Sequence, residues 1–443
     1  MISSLKLTNL GPVTPALDMQ FTPRLNMITG DNGLGKSLIL DTAWYALTRT
    51  WPHDDAPKAE GKPVLHGEPA LPNHDASPNE AKIEAMVFGA SPGSKSFEAS
   101  YEAKLQNWKN SRGAPVKPGL VVYAQVDGAF SIWDPARDYG TENNDGDVPD
   151  ALRLTTQNLW TGRGVCPGLI VDWENWRSNN NGAWKLFCSV LREFAPLKAP
   201  GSQDALGFLA PLPARRIRVR DASPTPMVRT IIGEVPITQL SAGAKRILSL
   251  AYALVWTWLR HREDAKIVGQ PPAKNLVLLW DEVECHLHPT WQRLILPALM
   301  RVLSSELLTA SGSDFQIIAT THAPLVMASI ETTVNEQYDR LFDLDLEAET
   351  GKVVMTVRPW AKFGDANGWL QSPIFDEMSG GYSVEASRAM QAADDFMAGK
   401  IDSLPAGLGT AEDIHQALLK SLGGSDPWWP FWMSFYREKT GQL

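Results

Sequence analysis

Between Val277 and Pro289 the chain reads VLLWDEVECHLHP, which crowds Asp281, Glu282, Glu284, Cys285, His286 and His288 into eight residues. Each of these side chains can carry a proton or bind a metal ion. Three chemistries are open to such a run: a transition-metal site, a nucleophile paired with its base, or carboxylates that hold a hard cation and activate water. Which one applies depends on what else the chain provides.

One such provision lies near the N-terminus. The apolar run LNMIT (25–29) leads into GDNGLGKS, which fits G-x-x-x-x-G-K-[ST] at Gly30, Gly35, Lys36 and Ser37. Backbone N–H groups that converge on phosphate oxygens need unusual φ values and close approach, and glycine allows both. Gly30, Asp31, Asn32, Gly33, Leu34 and Gly35 would form the cradle. Lys36, Ser37 and Leu38 would open the next helix, whose positive N-terminal end faces the anion. In such a loop the lysine reaches the β- and γ-phosphates and the serine hydroxyl reaches Mg2+. A glycine-rich turn can match the pattern by chance, but here a strand and a helix flank it as nucleotide binding requires. The helix is SLILDTAWYALTR (37–49), with apolar spacing at Leu40, Trp44 and Leu47.

A phosphate loop alone does not separate kinases, GTPases, helicases and ABC-type ATPases. Well downstream, PITQLSAGAKRILSLAYAL places Leu240, Ser241, Ala242 and Gly243 at the start of the chain's clearest helix (244–262), with Ser241 at the N-cap. A serine hydroxyl beside free helix N–H groups makes a second anion site. The chain's own phosphate loop has little need of it, whereas in trans it could close over the γ-phosphate of a partner copy. A simple helix cap is the alternative.

In this order along the chain, GDNGLGKS, LSAGAKR, LVLLWDEVECHLHP and IIATTHAP resemble the motifs of an ABC-type ATPase head. More narrowly, they are similar to the RecF/OLD/SMC-like AAA-family ATPases of bacterial genome maintenance and anti-phage defence. The DE-x-E-x-HLHP-x-WQ and TTHAP wording resembles the ATPase subunits of Septu-like and retron-associated systems. The likeness rests on residues 1–45 and 236–325. Ala244 departs from the usual Glu or Gln after the signature glycine, and no heptads run long enough for a coiled-coil arm. Too little chain surrounds Asp343 and Asp345 for a TOPRIM nuclease, so both are expected on a solvated strand face.

The resemblance implies ATP and Mg2+ as ligands and assigns roles to residues. NLVLLWDE would be a Walker B strand, with Asp281 holding Mg2+ through its water shell and Glu282 orienting and deprotonating the attacking water. Ser37 would be the other Mg2+ ligand. His288 falls at the D-loop aspartate position, with Pro289 starting the next helix. His322, ending QIIATT, matches the switch histidine that senses the γ-phosphate. The Q-loop glutamine is placed at Gln157 in LTTQNLW, with Gln125 in VVYAQVDG as the alternative. Ser241, Ala242 and Gly243 would complete a partner's nucleotide site. Glu284, Cys285 and His286 are then left without chemistry, and zinc loses its case because Cys285, His286 and His288 lack a fourth ligand at zinc spacing.

The elements that must position these motifs follow from apolar patterning. NLVLLW (275–280) and QIIATT (316–321) are continuous apolar runs, as in parallel strands buried on both faces, with the helical stretch TWQRLILPALMRVLSSELL between them. Residues 3–8, AKIEAMVF (81–88), RIRVRD (216–221) and MVRTII (227–232) read as further strands. GLVVYAQVDGAFSIWD (119–134) reads as a hairpin turning at Asp127-Gly128, and residues 339–359 as another. Residues 158–195 suggest a small helical lobe. Trp51–Glu80 reads as a long surface loop whose His53, His66 and His74 are too irregularly spaced for a metal site. The expected fold class is α/β, a P-loop NTPase head of ABC type with a mixed sheet, an antiparallel lobe and a parallel core. Its expected parts are lobe I (1–150), an inserted helical lobe (151–205), lobe II (206–360) and a helical, candidate partner-binding region (361–443). In that last part six aromatics fall within nine residues, from Trp428 to Tyr436, more than one helix face buries. They would pack onto the head or form a patch for a partner.

Composition bounds the rest. A 443-residue chain that is 44% apolar and 21% charged builds a sizeable core. The net charge of −9 disfavours a generally basic, nucleic-acid-coating surface while leaving room for a local groove. Cys166, Cys188 and Cys285 form no CxxC pair, which suits a reducing cytosol. The N-terminus lacks the pattern of a secretory signal, and LSLAYALVWTWL is too short to span a membrane. A soluble cytoplasmic protein is expected. It would dimerise head-to-tail around two ATPs, with assembly beyond a dimer left open, and gate a separately encoded effector, preferably a nuclease. A RecF-like clamp on DNA and an ATP-dependent scaffold that holds an effector inactive are the alternatives.

Overall fold

The computed structural model describes the chain apart from residues 53–68, 90–92, 111–116, 138–150, 180–181, 195–208, 220–222, 231, 306–313, 376–380 and 441–443. His53, His66 and most of the expected surface loop therefore lie outside the described residues. The chain divides into two units, Met1–Lys362 and Phe363–Leu443.

In the first unit, β1 (Ile2–Leu10) and β2 (Val13–Gln20) pair antiparallel before the chain passes into β3 (Leu25–Gly30) and α1 (Lys36–Thr48). β1 buries Ile2, Leu5, Leu7 and Leu10; register shifts at Ile2/Ser4 and Thr8/Leu10 explain why both ends break strict alternation. β4 (Lys82–Phe88), β5 (Ser94–Glu102) and β6 (Asn107–Asn110) complete an antiparallel sheet in the order β2-β1-β4-β5-β6.

β7 (Leu120–Ala124) and β8 (Phe130–Trp133) form the hairpin expected at Asp127-Gly128, where Gly128 has φ 88° and Asp127 accepts the Ala129 N–H at 2.8 Å. β9 (Leu152–Leu154) adds to β8, and α2 (Thr156–Thr161), α3 (Leu169–Ser178) and α4 (Ala183–Phe194) follow as the helical lobe. Trp173 packs edge-to-face on Phe187 there, with ring centres 5.6 Å apart. A small antiparallel sheet of β10 (Ala210–Arg215), β11 (Thr225–Thr230) and β12 (Gly233–Pro236) leads into α5 (Ala242–Ile267). Here the structure corrects the sequence reading of RIRVRD. Residues 216–219 lie in an exposed turn past the end of β10, and 220–221 fall outside the described residues. Their alternation mimics a strand, but Val219 is 94% exposed and no sheet face takes it up.

β13 (Asn275–Trp280), α6 (Pro289–Gln292), α7 (Ile295–Ser304), β14 (Asp314–Thr320), α8 (Pro324–Ile330), β15 (Asp339–Leu346) and β16 (Val353–Arg358) complete the unit. The single helix expected between β13 and β14 is broken in two. Pro297 sits in the first turn of α7, where a missing N–H costs nothing, whereas inside one continuous helix it would cost about 3 kcal/mol.

The larger sheet has the order β16-β15-β3-β14-β13-β7-β8-β9 and is parallel from β15 through to β7. β13 is apolar but for its first residue and almost wholly buried, and β14 is buried from Gln316 to Thr320 around Ile317, Ile318 and Ala319. Register brings the strand ends level: Ile28 pairs with Thr320, Ala319 with Trp280, and Trp280 with Ala124. Four strands thus end at one edge, where open α/β sheets bind their ligands. β15 lies between β3 and β16, which corrects the expectation for its aspartates. Asp345 is exposed, but Asp343 is buried and accepts from Arg358 Nε at 2.9 Å and Thr29 Oγ1 at 3.4 Å.

The second unit is helical, with α9 (Ala366–Leu370), α10 (Val384–Met397), α11 (Ala411–Ser421) and α12 (Trp429–Thr440). Ala389 and Ala393 of α10, Ile414 and Leu418 of α11, and Trp432 and Tyr436 of α12 share a core. The Tyr436 ring stacks on His415 at 4.2 Å, and the Trp432 indole donates to His415 Nδ1 at 3.1 Å. The tail aromatics thus build a core within their own unit, a third solution beside the two expected. Phe431 remains exposed.

Candidate active site

At the shared edge β3 gives way to the glycine-rich loop. Gly30, Gly33 and Gly35 have φ of 128°, 84° and 96°, values that other residues rarely adopt. Gly30 is also sterically required, because a Cβ there would lie 2.2 Å from the Leu344 carbonyl oxygen of β15. Asp31, Asn32 and Gly33 are exposed, Leu34 is buried and Leu38 half-buried. Lys36 is buried and turns back, its Nζ donating to the Gly30 and Asp31 carbonyls at 2.7 Å each. Burial pushes the ammonium down from its ordinary value, while Glu282, Asp281, Asp31 and Glu284 push it up. Ser37 is exposed in the first turn of α1.

On the next strands the carboxylates are fixed from behind. Asp281 is buried; its N–H donates to the Ala124 carbonyl at 2.9 Å, and its carboxylate accepts the Thr320 hydroxyl at 2.7 Å. Glu282 has φ 46°, a left-handed conformation that costs a non-glycine residue about 1–2 kcal/mol. Its N–H donates to the same Thr320 oxygen at 2.8 Å. His322 Nε2 lies 3.7 Å from Glu282 Oε1. Lys36, Asp281, Glu282 and His322 are therefore brought together from three separate parts of the chain.

Behind them Asp41 of α1 is hydrogen-bonded to the Tyr123 hydroxyl of β7. Burial, with a smaller push from Asp281, raises its carboxyl to about 7 from 3.8, against the pull of Tyr123. The proton is thus held more tightly folded than unfolded. That stabilisation is complete below about pH 4 and is lost as pH rises through about 7. Asp41→Asn cannot ionise, so its unfolding free energy should gain on wild type between pH 5 and pH 8, by up to a few kcal/mol, with a matching rise in its thermal midpoint relative to wild type. A difference between the two proteins that does not change with pH would show that Asp41 stays ionised throughout.

Ser241 caps α5, accepting the Ala244 N–H at 3.3 Å, and both Ser241 and Ala242 are exposed. Among the described residues no hydrogen bond or ion pair joins residues 241–243 to the phosphate loop. Gly243 packs instead on the turn after β13, where a Cβ would lie 2.7 Å from the carbonyl oxygen of His286, itself at φ 63°. His288 caps α6, accepting the Thr290 N–H on Nδ1 at 3.2 Å, with Pro289 first in the helix.

Gln157 lies exposed on α2, one residue after Thr156, whose hydroxyl sits against Gly128 in the turn after β7. Gln125 directly follows β7, next to the Ala124 carbonyl that receives the Asp281 N–H. Its side-chain amide donates to Ser131 at 3.0 Å and to the Pro52 carbonyl at 3.3 Å. Arg246 of α5, buried over the Phe130 ring, donates to the Gln125 carbonyl at 2.7 Å and ties the signature helix to this loop. Sequence alone does not single out Arg246 or Asp41. Arg246 stood inside LSAGAKR, and Asp41 four residues after Ser37 on the same helix face.

The Ser37 hydroxyl and Asp281 carboxylate form an all-oxygen set. It fits Mg2+, which keeps several waters and takes one or two carboxylates. Among the described residues no group of three or more His, Cys, Asp or Glu could hold a metal, and Cys285 Sγ lies 3.8 Å from the Val126 carbonyl.

A parallel sheet carrying a phosphate loop after one strand, an Asp–Glu pair after another and a histidine after the strand between them is the arrangement of a P-loop nucleotide-binding fold. Two stretches of the chain match AAA ATPase domain families. Residues 4–113 match a family described as AAA domain, and residues 207–328 one described as AAA domain, putative AbiEii toxin, Type IV TA system. The Septu protein PtuA of Bacillus thuringiensis is 23% identical over 400 residues, which cover 89% of this chain and 88% of that protein. Among solved structures, the SMC head domain from Thermotoga maritima aligns with a TM-score of 0.39 at 14% identity, over 81% of this chain and 99% of that one. The Smc head domain bound to the C-terminal domain of ScpA from Pyrococcus furiosus gives 0.41 at 11%, over 80% and 96%. No helix among the described residues is long and apolar enough to cross a membrane.

Proposed function

We propose that this chain binds and hydrolyses ATP at composite sites of a head-to-tail homodimer, and that its ATP state gates a separately encoded effector, a nuclease, in anti-phage defence. The convergence of Lys36, Asp281, Glu282 and His322 at one sheet edge carries the catalytic part of this reading. Likeness to a Septu protein along nearly the whole chain supports the defence setting.

On this reading the triphosphate lies along residues 30–35 at the N-terminal end of α1. Lys36 exchanges the Gly30 and Asp31 carbonyls for β- and γ-phosphate oxygens. Ser37 and Asp281 hold Mg2+, which when bound neutralises charge developing on the phosphates. Glu282 orients a water and takes its proton, since phosphoryl transfer depends on positioning more than on covalent help. Its left-handed backbone, held by Thr320, aims the carboxylate before substrate arrives. His322 sits against Glu282, where it senses the γ-phosphate.

Ser241 is exposed at a helix N-terminus, as a group serving a second chain must be. Ser241→Arg should leave nucleotide affinity within about 3-fold of wild type while abolishing phosphate release, because the bulky cation blocks closure across the partner's γ-phosphate. Fluorescent-nucleotide titration and a phosphate-release assay separate the two effects. Loss of nucleotide binding in this variant would end the in-trans assignment.

A further inference from the structure

Two residues past Glu282, Glu284 spends its carboxylate on a neighbouring strand end. Oε2 accepts the Thr321 hydroxyl at 2.7 Å, and Oε1 accepts the backbone N–H of His322 at 2.5 Å. Thr321 Oγ1 in turn accepts the Ala323 N–H at 3.0 Å. The turns after β13 and β14 are stitched at successive positions, with Glu282 N–H on Thr320 Oγ1, Val283 N–H on the Thr320 carbonyl, and Glu284 on Thr321 and His322. Only the last stitch reaches His322, whose imidazole lies 3.7 Å from Glu282.

A histidine at the end of a strand is only as well placed as its own backbone. We propose that Glu284 is a positioning residue for ATP hydrolysis, holding the His322 main chain so that the imidazole stays against Glu282. This rests on reading Glu282 and His322 as the hydrolytic pair. It also explains why a carboxylate occupies this turn, since an apolar side chain would leave the Thr321 hydroxyl and the His322 N–H without their acceptor. Charge-assisted bonds of this kind are the stronger class, and a misplacement of about 1 Å at a reacting group costs on the order of 100-fold in rate.

The test is steady-state ATPase kinetics on the full chain for Glu284→Ala, Glu284→Gln, His322→Ala and the double variant Glu284→Ala/His322→Ala. Glu284→Ala should lower kcat by roughly 30- to 100-fold with KM for ATP held within about 3-fold. Glu284→Gln should recover to within about 5-fold of wild type, because the amide oxygen accepts the His322 N–H and the amide NH2 donates to Thr321. The double variant should be no slower than His322→Ala alone, because both changes remove one function. If His322→Ala turns over at the wild-type rate, the hydrolytic pair itself is misassigned and this proposal falls with it. If His322→Ala is impaired, a wild-type rate in Glu284→Ala, or two losses that multiply in the double variant, overturns the positioning role alone. Should Glu284→Ala not fold, Glu284→Asp keeps the charge but withdraws it by one methylene. It should cost about 10-fold in kcat at constant KM, and full activity there would overturn the proposal as surely.

Discussion

Glu282→Gln is expected to bind ATP as wild type does and to hydrolyse it roughly 1,000-fold more slowly. Glutamine matches glutamate in size and retains the backbone N–H that bonds Thr320, so the φ of 46° and the aim of the side chain should survive. It cannot take a proton. General-base catalysis contributes roughly 10²- to 10⁴-fold, and the loss should fall inside that span. With binding intact and turnover gone, ATP-bound dimers should accumulate. Size-exclusion chromatography with ATP and Mg2+ would show them as a stable larger species, absent with ADP. A wild-type rate would move the base to another residue.

Lys36→Ala fails at the earlier step. Its ammonium is buried, bonded to two loop carbonyls and surrounded by the charges of Asp281, Glu282, Asp31 and Glu284. Removing it leaves those carboxylates without their cation just where a polyanion must enter. ATP affinity should fall by about 100-fold or more, since the lost contacts are charge-assisted and the remaining field repels phosphate. Titration with a fluorescent ATP analogue measures this directly, and unchanged affinity would place the nucleotide elsewhere. Lys36→Arg should not restore wild-type binding, because the planar guanidinium cannot reproduce a point charge seated on two loop carbonyls.

The sequence was most informative where a local pattern carries its own geometry. β3, β13 and β14 could be read from continuous apolar runs, α1 and α5 from their spacing and first-turn residues, and the β7–β8 hairpin from Asp127-Gly128. Once the motifs were in order, the parallel register did the rest by bringing the strand ends level. What stayed hidden depends on neighbours far along the chain. Sequence alone leaves Glu284 without a role once Asp281 and Glu282 have theirs, because its partners Thr321 and His322 lie on the next strand end. That Gln125 lies next to the Asp281 strand end depends on β7 pairing with β13, a neighbour far along the chain. Asp343 alternates like a solvated residue, yet β15 is flanked on both sides. The stretch at 216–221 shows the reverse error, a strand-like pattern with no sheet to join.

The contact between Gly243 and the His286 carbonyl leaves no room for a methyl group. The front of α5 is therefore packed directly on the turn leaving Glu282, and a displacement of one would press on the other. In the proposed pair the front of α5 would serve the neighbour's nucleotide, while the turn belongs to the chain's own chemistry. Each protomer would then report the progress of its own reaction to the pocket across the interface. The two pockets would keep time with each other, with ATP lifetime set by the pair and not by either half.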